Sequence, residues 1–129
     1  MQGRILLIGA GLELSQDILR NLSEAHFEVT RVANCLEALL QLDIVVPDLV
    51  IVNERLPLID GWETSYLLHR AYGLPVMVIG ERQDSEAWIK MLEVGADFYL
   101  RLPLRPLELV GRAKAIMRRY PENRIMQAR

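Results

Sequence analysis

The first segment able to do chemistry is Ile8-Gly9-Ala10-Gly11, which closes a short apolar run and precedes residues with helical spacing. Glycines at such a point let a pyrophosphate approach a helix N-terminus, as in a dinucleotide-binding loop. Leu14 stands where that loop needs its third glycine, and Arg31-Val32-Ala33-Asn34 replaces the acid expected after a second strand. Arg31 would suit a 2′-phosphate, but 129 residues leave no room for a substrate domain. A nucleotide-binding, Rossmann-like enzyme is the weaker alternative. Cys35, the sole cysteine, lies in Ala33-Asn34-Cys35-Leu36, which reads as a turn. A small buried hydrophobe fits it better than a nucleophile. One thiol permits no internal disulfide, and this points to a reducing, cytoplasmic compartment. The Asn21-Leu22-Ser23 sequon is read as chance in that setting.

Charge is the next feature that could carry function. Residues 1–100 hold seven basic side chains against fifteen acidic ones, whereas residues 101–129 hold eight against two. The basic end raises the question of nucleic acid. A solvated helix face pairing with nearby acids is the plainer reading, since most charge runs are surface. The whole chain carries a net charge of −2, which does not suggest a polyanion-binding protein.

The elements that position these residues follow from apolar periodicity. Hydrophobic residues make up 51% of the chain, enough for one domain with a sizeable core. Five apolar runs, Arg4–Ile8, Phe27–Val32, Leu49–Val52, Val76–Ile79 and Phe98–Leu100, have strand length and fall far short of a membrane span. Two of them, Ile5-Leu6-Leu7-Ile8 and Leu49-Val50-Ile51-Val52, are apolar throughout, as expected of strands covered on both faces. Between them, Leu14, Ile18 and Leu22, then Ile89, Met91 and Leu92, then Leu109, Ala113 and Ile116 mark helical stripes. Asp60-Gly61 precedes a helix that Gly73 ends, Gly95 ends the next, and Pro106 opens the last. The expected fold is α/β, a (βα)5 doubly wound parallel sheet of five strands, over residues 1–120. Residues 121–129 read as the start of a linker or a tail, and no signal peptide is read at the start. In such sheets ligands gather at the carboxyl ends of the strands.

At those ends the sequence resembles the receiver domains of response regulators in two-component signalling, over roughly Arg4 to Arg119. The markers are Pro47-Asp48-Leu49-Val50-Ile51-Val52-Asn53, Leu56-Pro57 with Asp60-Gly61, Leu74-Pro75-Val76, Gly95-Ala96-Asp97-Phe98-Tyr99-Leu100, Leu102-Pro103 and Glu108-Leu109. Each is weak alone, and their order and spacing together are strong. The resemblance implies a flavodoxin-like fold. It also implies five polar positions: two acids that hold Mg²⁺, an Asp that is phosphorylated, a hydroxyl residue and a Lys that bind the phosphoryl oxygens. In this chain they are Gly9 and Ala10, Asn53, Gly80 and Leu102.

All five depart from the pattern. The Asn53 amide is neutral and cannot form an acyl phosphate, and Gly9 and Ala10 offer no side-chain oxygen to Mg²⁺. Gly80 lacks a hydroxyl and Leu102 an ammonium. Glu54 is the nearby acid, but it follows Asn53, and strand alternation should turn it elsewhere. The same alignment puts Tyr99 at the aromatic residue whose rotamer reports phosphorylation, though its apolar context reads as a half-buried amphipathic ring. Pro103 falls at a cis-proline position. The expectation is therefore a degenerate pseudo-receiver that needs no phosphorylation, is not an enzyme, and has no catalytic residue, metal or cofactor.

Glu108-Leu109-Val110-Gly111-Arg112-Ala113-Lys114-Ala115-Ile116-Met117-Arg118-Arg119 is similar to the closing helix of the OmpR/PhoB winged-helix class. That class regulates transcription, and active receivers pair through the fourth helix, fifth strand and fifth helix. The resemblance implies a homodimer with Ile89, Leu92 and Val110 as apolar patch and Glu93 with Lys114, Asp97 with Arg119, as ion pairs across a two-fold axis. Trp88 replaces a basic residue opposite Glu108, and Phe98 replaces an acid opposite Arg112. Contact with DNA would come only through an effector domain that this chain lacks, and no membrane contact is expected. An adaptor receiver docking onto a kinase or another signalling protein is the alternative.

Overall fold

The structure is a computed structural model. It describes residues 2–82 and 85–120, with the backbone alone at Leu12 and Glu13. The tail expected at 121–129 lies outside the described residues. Strands and helices alternate: β1 (Gly3–Ile8), α1 (Leu12–Glu24), β2 (Phe27–Val32), α2 (Cys35–Leu42), β3 (Leu49–Asn53), α3 (Gly61–Tyr72), β4 (Val76–Gly80), α4 (Glu86–Val94), β5 (Phe98–Arg101) and α5 (Pro106–Arg118). All strand pairs are parallel, in the order β2-β1-β3-β4-β5. This is the flavodoxin-like arrangement.

The wholly apolar runs become the central strands because both of their faces are covered. Ile5, Leu7, Leu49, Ile51, Met77, Ile79 and Leu100 pack with Ile18 and Leu22 of α1 and Leu109, Ala113 and Ile116 of α5. On the opposite face Leu6, Ile8, Val50, Val52, Val76, Val78 and Tyr99 pack with Ala38 of α2, Trp62 and Leu68 of α3, and Ala87 and Met91 of α4. Side chains alternate across each strand, so neighbours in sequence belong to different cores.

Helix ends follow side-chain chemistry. Asn34 accepts a hydrogen bond from the Glu37 N–H at 3.0 Å and Asp60 one from the Glu63 N–H at 2.8 Å, capping α2 and α3. Cys35 is therefore the first residue of α2, not part of a turn, and it is fully buried. Gly73 closes α3 with a left-handed φ of 65°. No helix among the described residues is long and apolar enough to cross a membrane.

Candidate functional site at the carboxyl ends of the strands

β1, β3, β4 and β5 end side by side, bringing Gly9, Ala10, Asn53, Gly80 and Leu102 to one edge of the sheet. Gly9 has a φ of 67°, and the Leu56 side chain lies where its Cβ would stand. An acid there would meet both backbone strain and an occupied space. Ala10 packs against the core beneath α1 and α5. The Asn53 side-chain oxygen accepts the Arg55 N–H at 2.9 Å, so it closes the loop after β3. The Leu102 N–H donates to the Gly80 carbonyl at 2.8 Å, and the Leu102–Pro103 peptide bond is cis.

Mg²⁺, which receivers of this kind hold between acids, does not fit these residues. Position 9 has no side chain and the apolar Leu56 fills the space beside it, and position 10 has only a methyl. No cluster of three or more His, Cys, Asp or Glu side chains suited to a metal occurs among the described residues.

The organised polar group at this end is one that strand alternation, applied to its neighbour, had set aside. Glu54 does turn away from Asn53, but it turns over Gly80. Its Oε1 accepts the Tyr99 O–H at 3.0 Å, and its Oε2 accepts the Trp62 Nε1–H at 3.2 Å. The Arg82 Nε lies 3.3 Å from Oε2, and the Glu54 side chain is only 10% exposed. A Cβ on Gly80 would collide with both the Glu54 Oε1 and the Tyr99 hydroxyl. The missing side chain at position 80 is thus the room in which this carboxylate sits.

Tyr99 is correspondingly more enclosed than its sequence context implies. It is 3% exposed, not half-buried. Trp62 stacks on it, with centroids 5.7 Å apart and planes 16° from parallel. Its hydroxyl donates to Glu54 and accepts the Arg82 backbone N–H at 2.9 Å. Burial, joined by the Glu54 carboxylate, pushes its pKa up from 10.0 to about 12, so the ring keeps its proton and serves as a donor at neutral pH. Arg82 continues the chain of charges to Glu86, 3.1 Å away.

Three sequence features could have located this cluster. Val50, Val52 and Glu54 share a face, Gly80 leaves space on the adjoining strand, and a buried tyrosine hydroxyl needs a partner.

The face formed by α4, β5 and α5 is partly committed within the chain. Trp88, Ile89 and Leu92 are exposed by 48%, 53% and 75%. Val110 is half-buried against the core. Phe98 meets the edge of Trp88, and the Arg112 guanidinium lies 4.2 Å above its ring. Arg112 and Phe98 are therefore partners inside one molecule. Asp97, expected to reach across a two-fold axis to Arg119, accepts the Val76 N–H at 2.9 Å and the Tyr120 O–H at 2.7 Å within the chain. Each of its oxygens thus has one partner within the chain. Glu93, Lys114 and Arg119 form no ion pair with a described residue, and Glu108 borders a cavity below Trp88.

Comparison with known proteins agrees with this architecture. Residues 11–114 match the response regulator receiver domain family. The chain is 34% identical over 116 residues to the transcriptional activator protein IrlR of Burkholderia pseudomallei, covering 90% of this chain and 51% of IrlR. It is 29% identical over 119 residues to the DNA-binding response regulator MtrA of Mycobacterium tuberculosis, covering 92% and 52%. The chain thus spans about half the length of the curated relatives it matches. Among solved structures, a two-component response regulator from Clostridium difficile superposes with a TM-score of 0.83 at 26% identity, over 90% of this chain and 96% of that one. The signal receiver domain of a signal transduction histidine kinase from Syntrophus aciditrophicus gives 0.82 at 25%, over 92% of each chain. A chain with this sheet order and this match along most of its length belongs to the response regulator receiver family of two-component signalling.

Proposed function

We propose that this receiver acts without phosphorylation, as a protein-interaction and dimerisation module within a transcription regulator. The observation that carries the reading is the Glu54–Tyr99 hydrogen bond above Gly80. A carboxylate from within the chain holds the aromatic residue that the resemblance ties to the phosphorylation signal. No side chain at Gly9, Ala10, Asn53, Gly80 or Leu102 carries the carboxylates that hold Mg²⁺, a carboxylate to accept a phosphoryl group, or the hydroxyl and ammonium that clamp its oxygens. The domain is a binding module and not a catalyst, and it needs no metal or cofactor.

Pairing runs through the exposed Ile89 and Leu92 with Trp88, and Glu93 opposite Lys114 supplies the rim charge. The names of IrlR, a transcriptional activator, and MtrA, a DNA-binding response regulator, support a role in transcription. The similarity to a histidine kinase's receiver favours a second reading, an adaptor docking onto a signalling protein.

Sedimentation velocity at tens of micromolar separates the two. The first reading expects a dimer that neither Mg²⁺ nor a small phosphodonor alters, and a folded monomer for Leu92→Asp. A wild type that is already monomeric overturns pairing and leaves the adaptor reading.

A further inference from the structure

The cavity between α4 and the β5–α5 loop adjoins the strand-end site, sharing Arg82, Tyr99 and Leu102 with it, and it is rich in cations and rings. It has a volume of about 410 Å³ and is bordered by Arg82, Arg101, Arg105, Trp88, Phe98 and Glu108. That size lies within the range of small-molecule sites, roughly 300–1,000 Å³. Arg82 is already neutralised by Glu54 and Glu86. The side chains of Arg101 and Arg105 make no hydrogen bond or ion pair with a described residue. Among the described residues, two guanidiniums without an in-chain partner therefore border this space against the one carboxylate of Glu108.

The walls add a second requirement. Trp88 and Phe98 meet edge to face at 5.8 Å, and Arg112 takes one face of Phe98. Trp88 is left 48% exposed beside the cavity. Guanidinium forks select planar oxyanions such as carboxylates, and the exposed indole offers a surface for a flat apolar body. Trp88 is the residue that α4 contributes and Glu108 the residue that α5 contributes. The cavity is consequently a compact pit and not a groove along either helix, which suits a small molecule better than an extended peptide.

We infer that this pit binds a small planar aromatic carboxylate, its anion held by Arg101 and Arg105 and its ring lying against Trp88. The site shares Trp88 with the proposed pairing face, so pairing and ligand compete for that ring, and the binding measurement is made on the Leu92→Asp monomer as well as on wild type. Leu92→Asp, which lies outside the pit, should leave binding intact.

The test uses the full chain labelled with ¹⁵N and 2-naphthoate as the probe. The expected result is saturable movement of the Trp88 indole N–H and of the Arg101 and Leu102 amides, with a Kd below about 1 mM. The neutral 2-naphthalenemethanol and the ringless acetate should each bind at least about tenfold more weakly, and so should 2-naphthoate to the Arg101→Gln/Arg105→Gln variant. Resonances far from the pit report that the variant remains folded. Absence of saturation, or equal affinity in the variant, overturns the inference. Tighter binding of a short acidic peptide carrying one aromatic side chain overturns it in favour of a protein partner.

Discussion

The Glu54 carboxylate accepts the Tyr99 hydroxyl at 3.0 Å across 45 residues of sequence, and Gly80 makes the approach possible. The same carboxylate accepts the Trp62 indole N–H and faces Arg82, so three side chains depend on one acid. Removing it strands several donors at once. Glu54→Leu should lower unfolding stability by about 2–4 kcal/mol, because buried donors left without acceptors cost about 1–3 kcal/mol each and some regain water. Urea denaturation measures this. Glu54→Gln keeps an acceptor and should cost distinctly less, while a Leu variant as stable as wild type would remove the cluster's importance.

Gly80 supplies a second test. Restoring the family hydroxyl with Gly80→Thr should not repair the site, because the new Cβ meets Glu54 Oε1 and the Tyr99 hydroxyl. Overpacking of this kind costs about 1–3 kcal/mol. Adding Glu54→Ala frees the space, so the double variant should lose less than the sum of the two single changes. Simple additivity in a double-mutant cycle would mean that the two positions do not share that volume.

Alkaline pH gives a third readout. Burial first, and then hydrogen bonding to a carboxylate, raises Tyr99 and Tyr120 from 10.0 to about 12. Ionisation is easier in the unfolded chain. The stabilisation is complete below about pH 10 and is lost as pH rises from 10 towards 12. Urea midpoints should fall across that window, and Tyr99→Phe should flatten the fall. The tyrosinate absorbance lost in Tyr99→Phe should have its midpoint near 12. A midpoint at 10.0 would show that the hydroxyl is not enclosed as described.

Most of the fold was legible because apolar runs and helix punctuation agree. Continuous runs such as Leu49–Val52 needed cover on both faces, and Gly73, Gly95 and Pro106 mark helix ends where expected. β3, β4 and β5 each extend one residue further than hydrophobicity suggests. Asn53 pairs with Ile79 and Gly80 with Arg101, since the backbone ladder continues past the last apolar side chain. The site was legible as a set of absences at five positions. What fills them was not, because Glu54 faces away from its neighbour Asn53 and lies on the side it shares with Val52 and Val78, where the vacancy at Gly80 is a matter of strand pairing. Asp97 and Phe98 likewise looked available for a partner, and the in-chain contacts of Tyr120 and Arg112 depend on how α5 lies over the sheet.

The most direct test of a phosphorylation-independent receiver is intact mass after incubation with Mg²⁺ and a small phosphodonor, on wild type and on Asn53→Asp. Wild type has no carboxylate at the acceptor position, so its mass should not change. Asn53→Asp restores the acceptor alone. With Gly9, Ala10 and Leu102 unchanged there is still no cation and no clamp for the phosphoryl oxygens, and its mass should not change either. A phosphoryl adduct on wild type, or full phosphorylation of Asn53→Asp, would contradict the account.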